Sequence, residues 1–440
     1  MKNRVLSTAV ALLALSATSA TVAVAQGSTP VDHSAVASSI ISDPKFKSAV
    51  ATFDRDHEKI VSELIEITEI PSPPFKEKER AEAFRKKLAD IGLTDVEIDE
   101  EGNVTAIRKG SAGDGKYVAV IAHLDTVFPE GTDVKVRREG TKLMAPGIGD
   151  DAKGLTSVLA YVRAIDEAKI QTKDDLLIVG SVGEEGLGDL RGVKHLFQKG
   201  KYKDKIKSAL IVDGGDMETV TNGATGSKRY LVKFKGPGGH SYGAFGLVNP
   251  AFAMGEAMAQ FSRTQVPADP KTTYSIGVIG GGTSVNSIPS ELWMQVDMRS
   301  VSVEELAKLE MRFLEIVDRA VDTENNARST KEGPITVTKE LVGDRPAGQT
   351  DEKSDIVQSV SAVLKAYDYK PKYNTSSTDS NVPMSLGIPA VTVGRGAAGK
   401  SGRGHSLDEW VDVEKEPDVK ALTAGLAMLL SVAGMSDTSQ

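Results

Sequence analysis

Apolar residues follow two alternating patterns over much of the chain. Residues 117–122 (YVAVIA), 175–182 (DLLIVGSV) and 208–213 (SALIVD) are nearly continuous apolar runs, which is typical of strands buried on both faces. Between the first two runs, residues 152–168 carry apolar side chains at helical spacing. This order predicts an α/β fold with a mixed or parallel sheet that is covered by helices on both faces.

The pattern changes near residue 225. From there to residue 340 the sequence predicts a few strands and two helices, the second over residues 303–322. Residues 351–368 and 388–394 then restore the helix and strand order of the first part. We therefore predict one discontinuous α/β domain, formed by residues 51–224 and 341–440, with an α+β domain of residues 225–340 inserted into it.

The chain begins with a leader pattern. Lys2 and Arg4 precede an apolar stretch, and Ala23-Val24-Ala25 stand before Gln26. This pattern predicts a signal peptide over residues 1–25, a linker over 26–50, and a periplasmic or secreted protein with no membrane association after cleavage. The alternative is a retained anchor, which needs about 20 mostly apolar residues, whereas Ser and Thr interrupt this run from residue 16 onward.

Composition narrows the chemistry. The 440 residues include no Cys, so disulfides, thiolate ligands and a Cys nucleophile are excluded. The formal net charge of −8 argues against nucleic-acid binding, which depends on neutralising phosphates with Lys and Arg. Small molecules or peptides are the expected partners, and His, carboxylates, hydroxyls or Lys have to supply the chemistry.

Acids and histidines follow the predicted strands at the points where the strands end. They are His123, Asp125, Glu184, Glu185, Asp213 and, in the loop after residues 388–394, His405; Asp151 begins the helix between the first two strands. Ligands of open α/β sheets bind beyond the carboxyl ends of the strands, so these side chains are expected in one cleft. Taken singly, each has an ordinary structural explanation, such as a buried His, a helix N-cap or a solvated charge.

Electrostatics favours a metal site over these separate explanations. The carboxylates of Asp151, Glu184, Glu185 and Asp213 would repel one another in one cleft unless cations were present. Two Zn²⁺ ions would balance the four charges, and both imidazole and carboxylate bind zinc, at about 2.0–2.2 Å. Asp125, two residues after His123, is suited to hold the second N–H of the imidazole.

Nine motifs in order carry a family resemblance: AHLDTVFP, GIGDDAKG, GSVGEEGLGD, ALIVDGGD, GPGGHSYGAFGLVNP, SVNSIP, GDRPAG, SSTDSNVPMSLGIPAVTVGRG and GHSLDEW. With them the chain resembles, over nearly its whole length after the leader, the co-catalytic dinuclear zinc peptidases and amidohydrolases. That group includes carboxypeptidase G, aminotripeptidase, bacterial dipeptidase, succinyl-diaminopimelate desuccinylase and aminoacylase.

The resemblance implies a role for each residue. It implies two Zn²⁺ ions per subunit, with Co²⁺ or Mn²⁺ as alternatives, held by His123 and Asp213, by Glu185 and His405, and by a bridging Asp151. The family places the bridging acid two residues before Lys153, which selects Asp151 over Asp150. Glu184 is implied as the general base and Asp125 as the residue that orients His123, whereas Asp379 is given a structural role.

The resemblance also covers the inserted domain, which is similar to the family's lid and dimerisation domain. It implies a homodimer in which His240 of one subunit stabilises the oxyanion in the site of the other. Asn286 and Arg345 are implied as substrate-binding residues. Without the resemblance, His240 would be a surface His in a Gly-rich loop and Arg345 a surface cation.

The implied reaction is hydrolysis of an amide bond at one end of a short peptide. Asp at position 213 is more frequent in the family's aminopeptidases and dipeptidases, so an exported aminopeptidase of tripeptidase or dipeptidase type is expected. A carboxypeptidase or N-acyl-amino-acid amidohydrolase is the alternative, in which Arg345 would clamp a carboxylate. A non-catalytic peptide- or metal-binding protein is a third reading, and the retained base and ligands disfavour it.

Overall fold

The computed structural model describes residues 31–395 and 401–436. Its helices are α1 (His33–Ser42), α2 (Pro44–Arg55), α3 (His57–Thr68), α4 (Lys78–Ile91), α5 (Gly154–Glu167), α6 (Arg191–Gln198), α7 (Pro250–Phe261), α8 (Val303–Ala327), α9 (Asp355–Ala366), α10 (Asn381–Ser385) and α11 (Lys415–Ala433). None of the helices in this part of the chain combines the length and the apolar character that a membrane span needs.

The strands are β1 (Thr94–Ile98), β2 (Val104–Arg108), β3 (Tyr117–His123), β4 (Arg137–Glu139), β5 (Lys142–Met144), β6 (Asp175–Ser181), β7 (Ile206–Gly214), β8 (Thr219–Ala224), β9 (Gly226–Lys235), β10 (Gly239–His240), β11 (Thr272–Gly281), β12 (Ser287–Ile288), β13 (Glu291–Ser300), β14 (Thr336–Arg345), β15 (Gly348–Gln349), β16 (Lys372–Ser376), β17 (Ala390–Gly394), β18 (Ser401–Gly402) and β19 (Trp410–Asp412).

The main sheet is mixed, which confirms the predicted fold class. Within the described residues its strand order is β1-β2-β6-β3-β7-β17-β8-β15, and β16 pairs with β8. The central strands β6, β3, β7 and β17 are parallel, whereas β1 and β2 are antiparallel additions at one edge. The carboxyl ends of the four parallel strands therefore lie at the same edge of the sheet.

Both faces of this sheet are covered, as the continuous apolar runs predict. On one face, Val118 and Val120 of β3 pack in a core that includes residues of α2, α3, α4, α5, α9 and α11. On the other face, Ala119 and Ile121 pack with residues of α6 and α10. Successive side chains of a strand point to opposite faces, so a strand covered on both sides is apolar at most of its positions.

The inserted segment has a sheet and a core of its own. Its four strands have the order β11-β13-β9-β14 and are antiparallel. Alternate residues of β9, namely Tyr230, Val232 and Phe234, pack with apolar residues of α7 and α8. We call residues 226–345 the lid domain. Strand β14 ends at Arg345, so the last strand of the lid extends past the predicted boundary at residue 340.

The amino-terminal region differs from the prediction. The predicted signal peptide lies outside the described residues. Residues 33–50 were expected to be linker but form α1 and most of α2. Ala37, Ile40, Phe46 and Ala49 are buried in the main core, and this apolar spacing is that of two helices packed on the domain. The linker prediction is wrong for these residues. Their polar neighbours lie on the outer faces of the two helices, and the apolar residues between them form a buried inner face.

Candidate active site

The residues predicted at strand ends meet at the carboxyl edge of the main sheet. His123 is the last residue of β3 and pairs in register with Ser181, the last residue of β6. Glu184 and Glu185 follow β6 after a turn at Gly183, whose φ is 70°. Asp213 lies in β7, the parallel neighbour on the other side of β3. Adjacent strands thus bring the imidazole and the acids together from distant parts of the chain.

Asp125 organises the loop of the paired acids. Its carboxylate accepts hydrogen bonds from the backbone N–H of Glu184 at 3.0 Å and of Glu185 at 2.8 Å. The ring Nδ1 of His123 lies 3.0 Å from the backbone O of Asp125 and 3.7 Å from its carboxylate. Asp125 therefore contacts the ring of His123 mainly through its backbone O, which lies closer to the ring than its carboxylate does. The carboxylate instead holds the backbone of Glu184 and Glu185.

Asp150 and Asp151 have different surroundings. Asp150 Oδ1 lies 3.0 Å from Nε2 of His123, and its Oδ2 lies 3.3 Å from Nε2 of His405. Asp151 Oδ2 instead accepts a hydrogen bond from the backbone N–H of His123 at 3.0 Å, and its Oδ1 accepts one from Gly154 at 3.2 Å. The carboxylate that lies between the two histidines is therefore that of Asp150, whereas Asp151 accepts from the backbone N–H of Gly154, the first residue of α5.

Two groups of side chains have the spacing of metal ligands. One contains His123, Asp150 and Glu185, and the other contains His123, Asp151 and Asp213; within each group the ligand atoms lie within 4.8 Å of one another. His405 Nε2 adds to the first group at 3.1 Å from Glu185 Oε1. Imidazoles and carboxylates of this kind are chemically suited to hold metal ions. No ion is present in the structure, so the donors themselves carry this assignment.

Charges in the cleft shift the pKa values of its acids in opposite directions. Burial, with the charge of Asp213, raises the pKa of Asp151 well above its usual value. Burial acts in the same direction on Asp150, but Arg395 and the hydrogen bonds from His123 and His405 outweigh it and hold the pKa of Asp150 well below its usual value. Within the adjacent pair, Asp150 therefore has the lower pKa.

Glu184 lies beside Arg345. Nη1 of Arg345 is 3.4 Å from Glu184 Oε1 and donates to Ser377 Oγ at 3.0 Å, and Nη2 donates to the backbone O of Glu184 at 2.5 Å. Burial raises the pKa of Glu184 well above its usual value, against Arg345 and together with the charge of Glu185. A carboxyl that holds a proton more tightly than usual is suited to accept one during a reaction.

Comparison with known sequences identifies the family of this site. The profile described as Peptidase family M20/M25/M40 matches residues 119–433. The chain belongs to this peptidase family. It is accordingly a metallopeptidase-type hydrolase of peptide or amide bonds, which confirms the predicted family and enzyme class.

Three proteins that are similar to this M20-family chain align with it over most of their length. Succinyl-diaminopimelate desuccinylase of Corynebacterium glutamicum is 25% identical over 369 residues, which are 81% of this chain and 92% of the relative. Aminopeptidase PepT of Bacillus cereus has a similar fold, with a TM-score of 0.67, 21% identity and coverage of 86% of this chain and 98% of the other. YxeP of Bacillus subtilis, a dinuclear metal-binding peptidase of the M20 family, aligns with a TM-score of 0.60 and 15% identity over 86% of this chain and 99% of its own.

Two residues of the site of this M20-family chain are not among the residues that the sequence predicts. Glu409 is buried, and its carboxylate accepts hydrogen bonds from the backbone N–H groups of Gly147, Gly149 and Asp150 at 3.1, 2.7 and 2.8 Å. Arg395 places Nη1 3.1 Å from Asp213 and 3.2 Å from Asp150. Both residues lie in motifs that were quoted because of other residues in them. Arg395 also directly follows a strand, and this position is the signal that could have identified it.

Two of the three predicted substrate-binding residues, His240 and Asn286, do not join the acids in the described part of this chain. His240 is exposed, and its ring Nδ1 accepts hydrogen bonds from the backbone N–H groups of Tyr242 and Gly243 at 3.2 Å. Asn286 is exposed in the turn before β12, where its Oδ1 accepts from Ser284 Oγ at 2.6 Å and its backbone O accepts from the Ser241 N–H at 2.9 Å. Arg345, by contrast, is buried beside Glu184. The structure therefore brings one of the three predicted substrate-binding residues into the site.

Proposed function

We propose that the protein is a dinuclear zinc peptidase that hydrolyses one terminal amide bond of short peptides. The observation that carries this proposal is the position of Asp150, whose two oxygens face His123 and His405 at 3.0 and 3.3 Å. A carboxylate shared in this way between two imidazoles has the arrangement of a bridging ligand. The bridging role predicted for Asp151 is therefore assigned to Asp150 in this proposal.

The remaining donors complete two unlike halves of the centre. His123 and Asp213 form one half, with 3.8 Å between Nε2 and Oδ1, and His405 and Glu185 form the other, at 3.1 Å. Bound Zn²⁺ supplies Lewis-acid activation of a carbonyl group and of water near neutral pH. Imidazole with carboxylate favours zinc over Mg²⁺ or Ca²⁺, and the same donors also bind Co²⁺ or Mn²⁺.

Glu184 is proposed as the residue that moves the proton. Its backbone N–H is held by Asp125, and the adjacent Glu185 faces His405, so the two neighbours have separate tasks. The raised pKa of Glu184, which follows from its burial, favours uptake of a proton from the attacking water and its return to the leaving amine. Arg345 keeps the carboxylate of Glu184 oriented and offers a positive charge to a substrate carboxylate.

An aminopeptidase of tripeptidase or dipeptidase type is the proposed specificity, because Asp rather than Glu stands at position 213. A groove of about 400 Å³ lies between the catalytic loop and the lid sheet, with Gly186, Leu187 and Val278 in its wall. Its lining also includes Arg229, Arg299 and Asp297. This mixture of apolar and charged groups suits a short zwitterionic peptide.

A carboxypeptidase or N-acyl-amino-acid amidohydrolase is the second candidate. It is favoured by Arg345, a buried guanidinium within reach of the catalytic acid, and by the resemblance to a desuccinylase over most of both chains. Export to the periplasm or medium and dimerisation through the lid domain remain part of the proposal. They rest on the leader pattern and on the lid position of His240.

Hydrolysis of three matched tripeptides tests the proposal. The full chain is assayed with a free tripeptide, its N-acetylated form and its C-amidated form, each with and without a chelator. Cleavage that requires a free amino terminus and stops on chelation supports the aminopeptidase. Cleavage of the N-acetylated peptide but not of the C-amidated one supports the second candidate, and no chelator-sensitive cleavage of any peptide contradicts both.

A further inference from the structure

Arg395 is fixed at the edge of the proposed metal centre by its own main chain. Its backbone N–H donates to Gly214 O at 2.9 Å, and its backbone O accepts a hydrogen bond from Ser157 Oγ at 2.8 Å. Arg395 as a whole residue is 8% exposed, so its guanidinium is directed into the cleft and away from solvent. Arg395 thus places a permanent positive charge in the cleft, at a position that its hydrogen-bonded main chain fixes.

Among the described residues, the guanidinium lies closer to the acids of one half of the centre than to those of the other. Nη1 lies 3.1 Å from Asp213 Oδ1, 3.2 Å from Asp150 Oδ1 and 3.8 Å from Asp151 Oδ1. In the described part of the chain, Glu185 is not among its ion-pair partners, and Glu185 instead lies 3.1 Å from His405. The positive charge is therefore distributed unequally between the two halves.

The same oxygen atoms face Arg395 and His123. Asp150 Oδ1 is 3.0 Å and Asp213 Oδ1 is 3.8 Å from Nε2 of His123, so a metal ion bound by this imidazole would draw on both oxygens. Each oxygen shared with a guanidinium donates less charge to a metal ion, and the cation repels a second cation at short range. Asp150 Oδ2, which faces His405, is not shared with Arg395.

We propose that Arg395 is a built-in cation that makes the two metal positions unequal. The position formed by His405, Glu185 and Asp150 Oδ2 fills first and tightly. The position formed by His123, Asp213 and Asp150 Oδ1 binds its ion more weakly, because that ion has to displace the guanidinium from Asp150 and Asp213. This inference rests on the two-metal centre of the proposed function.

Zinc binding to the metal-free full-length protein tests the inference without any assay of turnover. Bound Zn²⁺ per chain is measured by equilibrium dialysis against chelator-buffered free zinc. The wild-type chain is expected to load two ions in two steps whose dissociation constants differ by about tenfold or more. In Arg395→Met the second step is expected to tighten about tenfold or more, so that the two steps approach each other.

Two further variants separate charge from structure. Arg395→Lys retains the positive charge and is expected to keep two separate steps. Arg403→Met makes the same change at an exposed Arg on the His405 loop, which pairs with Asp408 at 2.6 Å, and is expected to bind zinc like the wild type. If Arg395→Met does not fold, as judged by circular dichroism, the wild-type isotherm and the Lys variant still decide the question.

Several results would overturn the inference. They are a single wild-type step for two ions, one ion or none per wild-type chain, merged steps in Arg395→Lys, or an unchanged or weaker second step in a folded Arg395→Met. Two-step zinc binding by a wild-type protein that cleaves no peptide would support the inference while contradicting the proposed function. Peptide cleavage by a protein that loads both ions in one step would do the reverse.

Discussion

The carboxylate of Glu409 accepts a hydrogen bond of 2.8 Å from the backbone N–H of Asp150, and a second, of 2.7 Å, from Gly149. Glu409 follows His405 by four residues, so one buried side chain connects the loops of the two proposed metal ligands. A side chain at position 149 would bring Cβ within 2.7 Å of the Glu409 carboxylate, so this close approach requires glycine.

Glu409→Gln is expected to weaken metal binding, because an amide cannot accept from all three N–H groups that the carboxylate now satisfies. Outer partners of metal ligands are commonly worth about 10–100-fold in metal affinity, and a loss of that size is expected in zinc dialysis. Glu416→Gln, an exposed change on the following helix, is the matched control and should bind zinc like the wild type. Unchanged zinc affinity in a folded Glu409→Gln would contradict this role.

The adjacent acids should respond differently to the same substitution. Glu184→Gln is expected to keep its zinc and lose turnover by roughly 10²–10⁴-fold, the usual contribution of a general base. Glu185→Gln is expected to lose zinc, because this carboxylate lies 3.1 Å from His405 in the proposed centre. Zinc content by mass spectrometry and kcat are measured on both variants. Full activity in Glu184→Gln, or full zinc occupancy in Glu185→Gln, would reverse the assignment.

A buried charged cluster supports the site from behind. Asp418 of α11 lies 2.6 Å from Lys153 Nζ and 3.0 Å from His57 Nε2, and all three side chains are almost completely buried. Lys153 follows the Asp150 loop, so α11 is tied to the start of α5. Burial acts to raise the pKa of Asp418, but Lys153 and His57 outweigh it and lower that pKa.

Asp418→Asn is expected to reduce the free energy of unfolding by about 3–5 kcal/mol, because Lys153 would remain buried without its counter-charge. Urea denaturation of the metal-free protein measures the change. The double variant Asp418→Asn with Lys153→Met should recover part of the loss, and Asp54→Asn, which removes an exposed pair with Lys415, should change little. Equal losses in the single and double variants would show that the charge pairing does not determine the effect.

Asp379 predicts a pH dependence of stability. Burial raises its pKa from 3.8 to about 6, while Ser181 Oγ donates to its Oδ2 at 2.5 Å. As the pH rises from 4 to 6, the unfolded chain loses this proton before the folded protein does, so the free energy of unfolding falls and then levels off above pH 6. Asp379→Asn removes this contribution.

Relative to the wild type, Asp379→Asn is therefore expected to gain stability between pH 4 and 7, by at most about 3 kcal/mol. Urea denaturation in the presence of chelator, repeated at several pH values, measures the difference. Asp322→Asn, an exposed change on α8, serves as control, and its free energy of unfolding should vary with pH in the same way as that of the wild type. A stability difference between Asp379→Asn and the wild type that does not vary with pH would exclude a raised pKa at this carboxyl.

The sequence predicted the parts of the site that depend on strand order. His123, Glu184, Glu185 and Asp213 follow apolar runs, and parallel pairing of those runs brings them together. The choice between Asp150 and Asp151 could not be made in this way. It depends on which carboxylate the turn before α5 directs into the cleft and which caps the helix, and spacing from a Lys does not determine that local geometry.

Other features required the tertiary structure. Glu409 acts through backbone N–H groups that lie about 260 positions away in the chain, and no periodic pattern links such partners. Arg395 directly follows a strand, but its place at the acids depends on the hydrogen bonds that anchor its main chain to Gly214 and Ser157. The linker prediction was wrong because short amphipathic helices resemble polar linkers when their apolar residues are few and their packing partners are remote.

His240 lies on the lid domain, away from the acids of its own chain, so its proposed role requires a second subunit. If each active site combines Glu184 of one subunit with His240 of its partner, Glu184→Gln and His240→Ala are each expected to be inactive alone. Mixing equal amounts under conditions that exchange subunits should restore roughly one quarter of wild-type activity, because half of the dimers are mixed and each mixed dimer has one intact site. Mixing Glu184→Gln with Glu185→Gln is the control and should restore nothing, since both changes are in the same half of the site. Wild-type activity in His240→Ala, or no recovery on mixing despite a dimer measured by light scattering, would contradict the shared site.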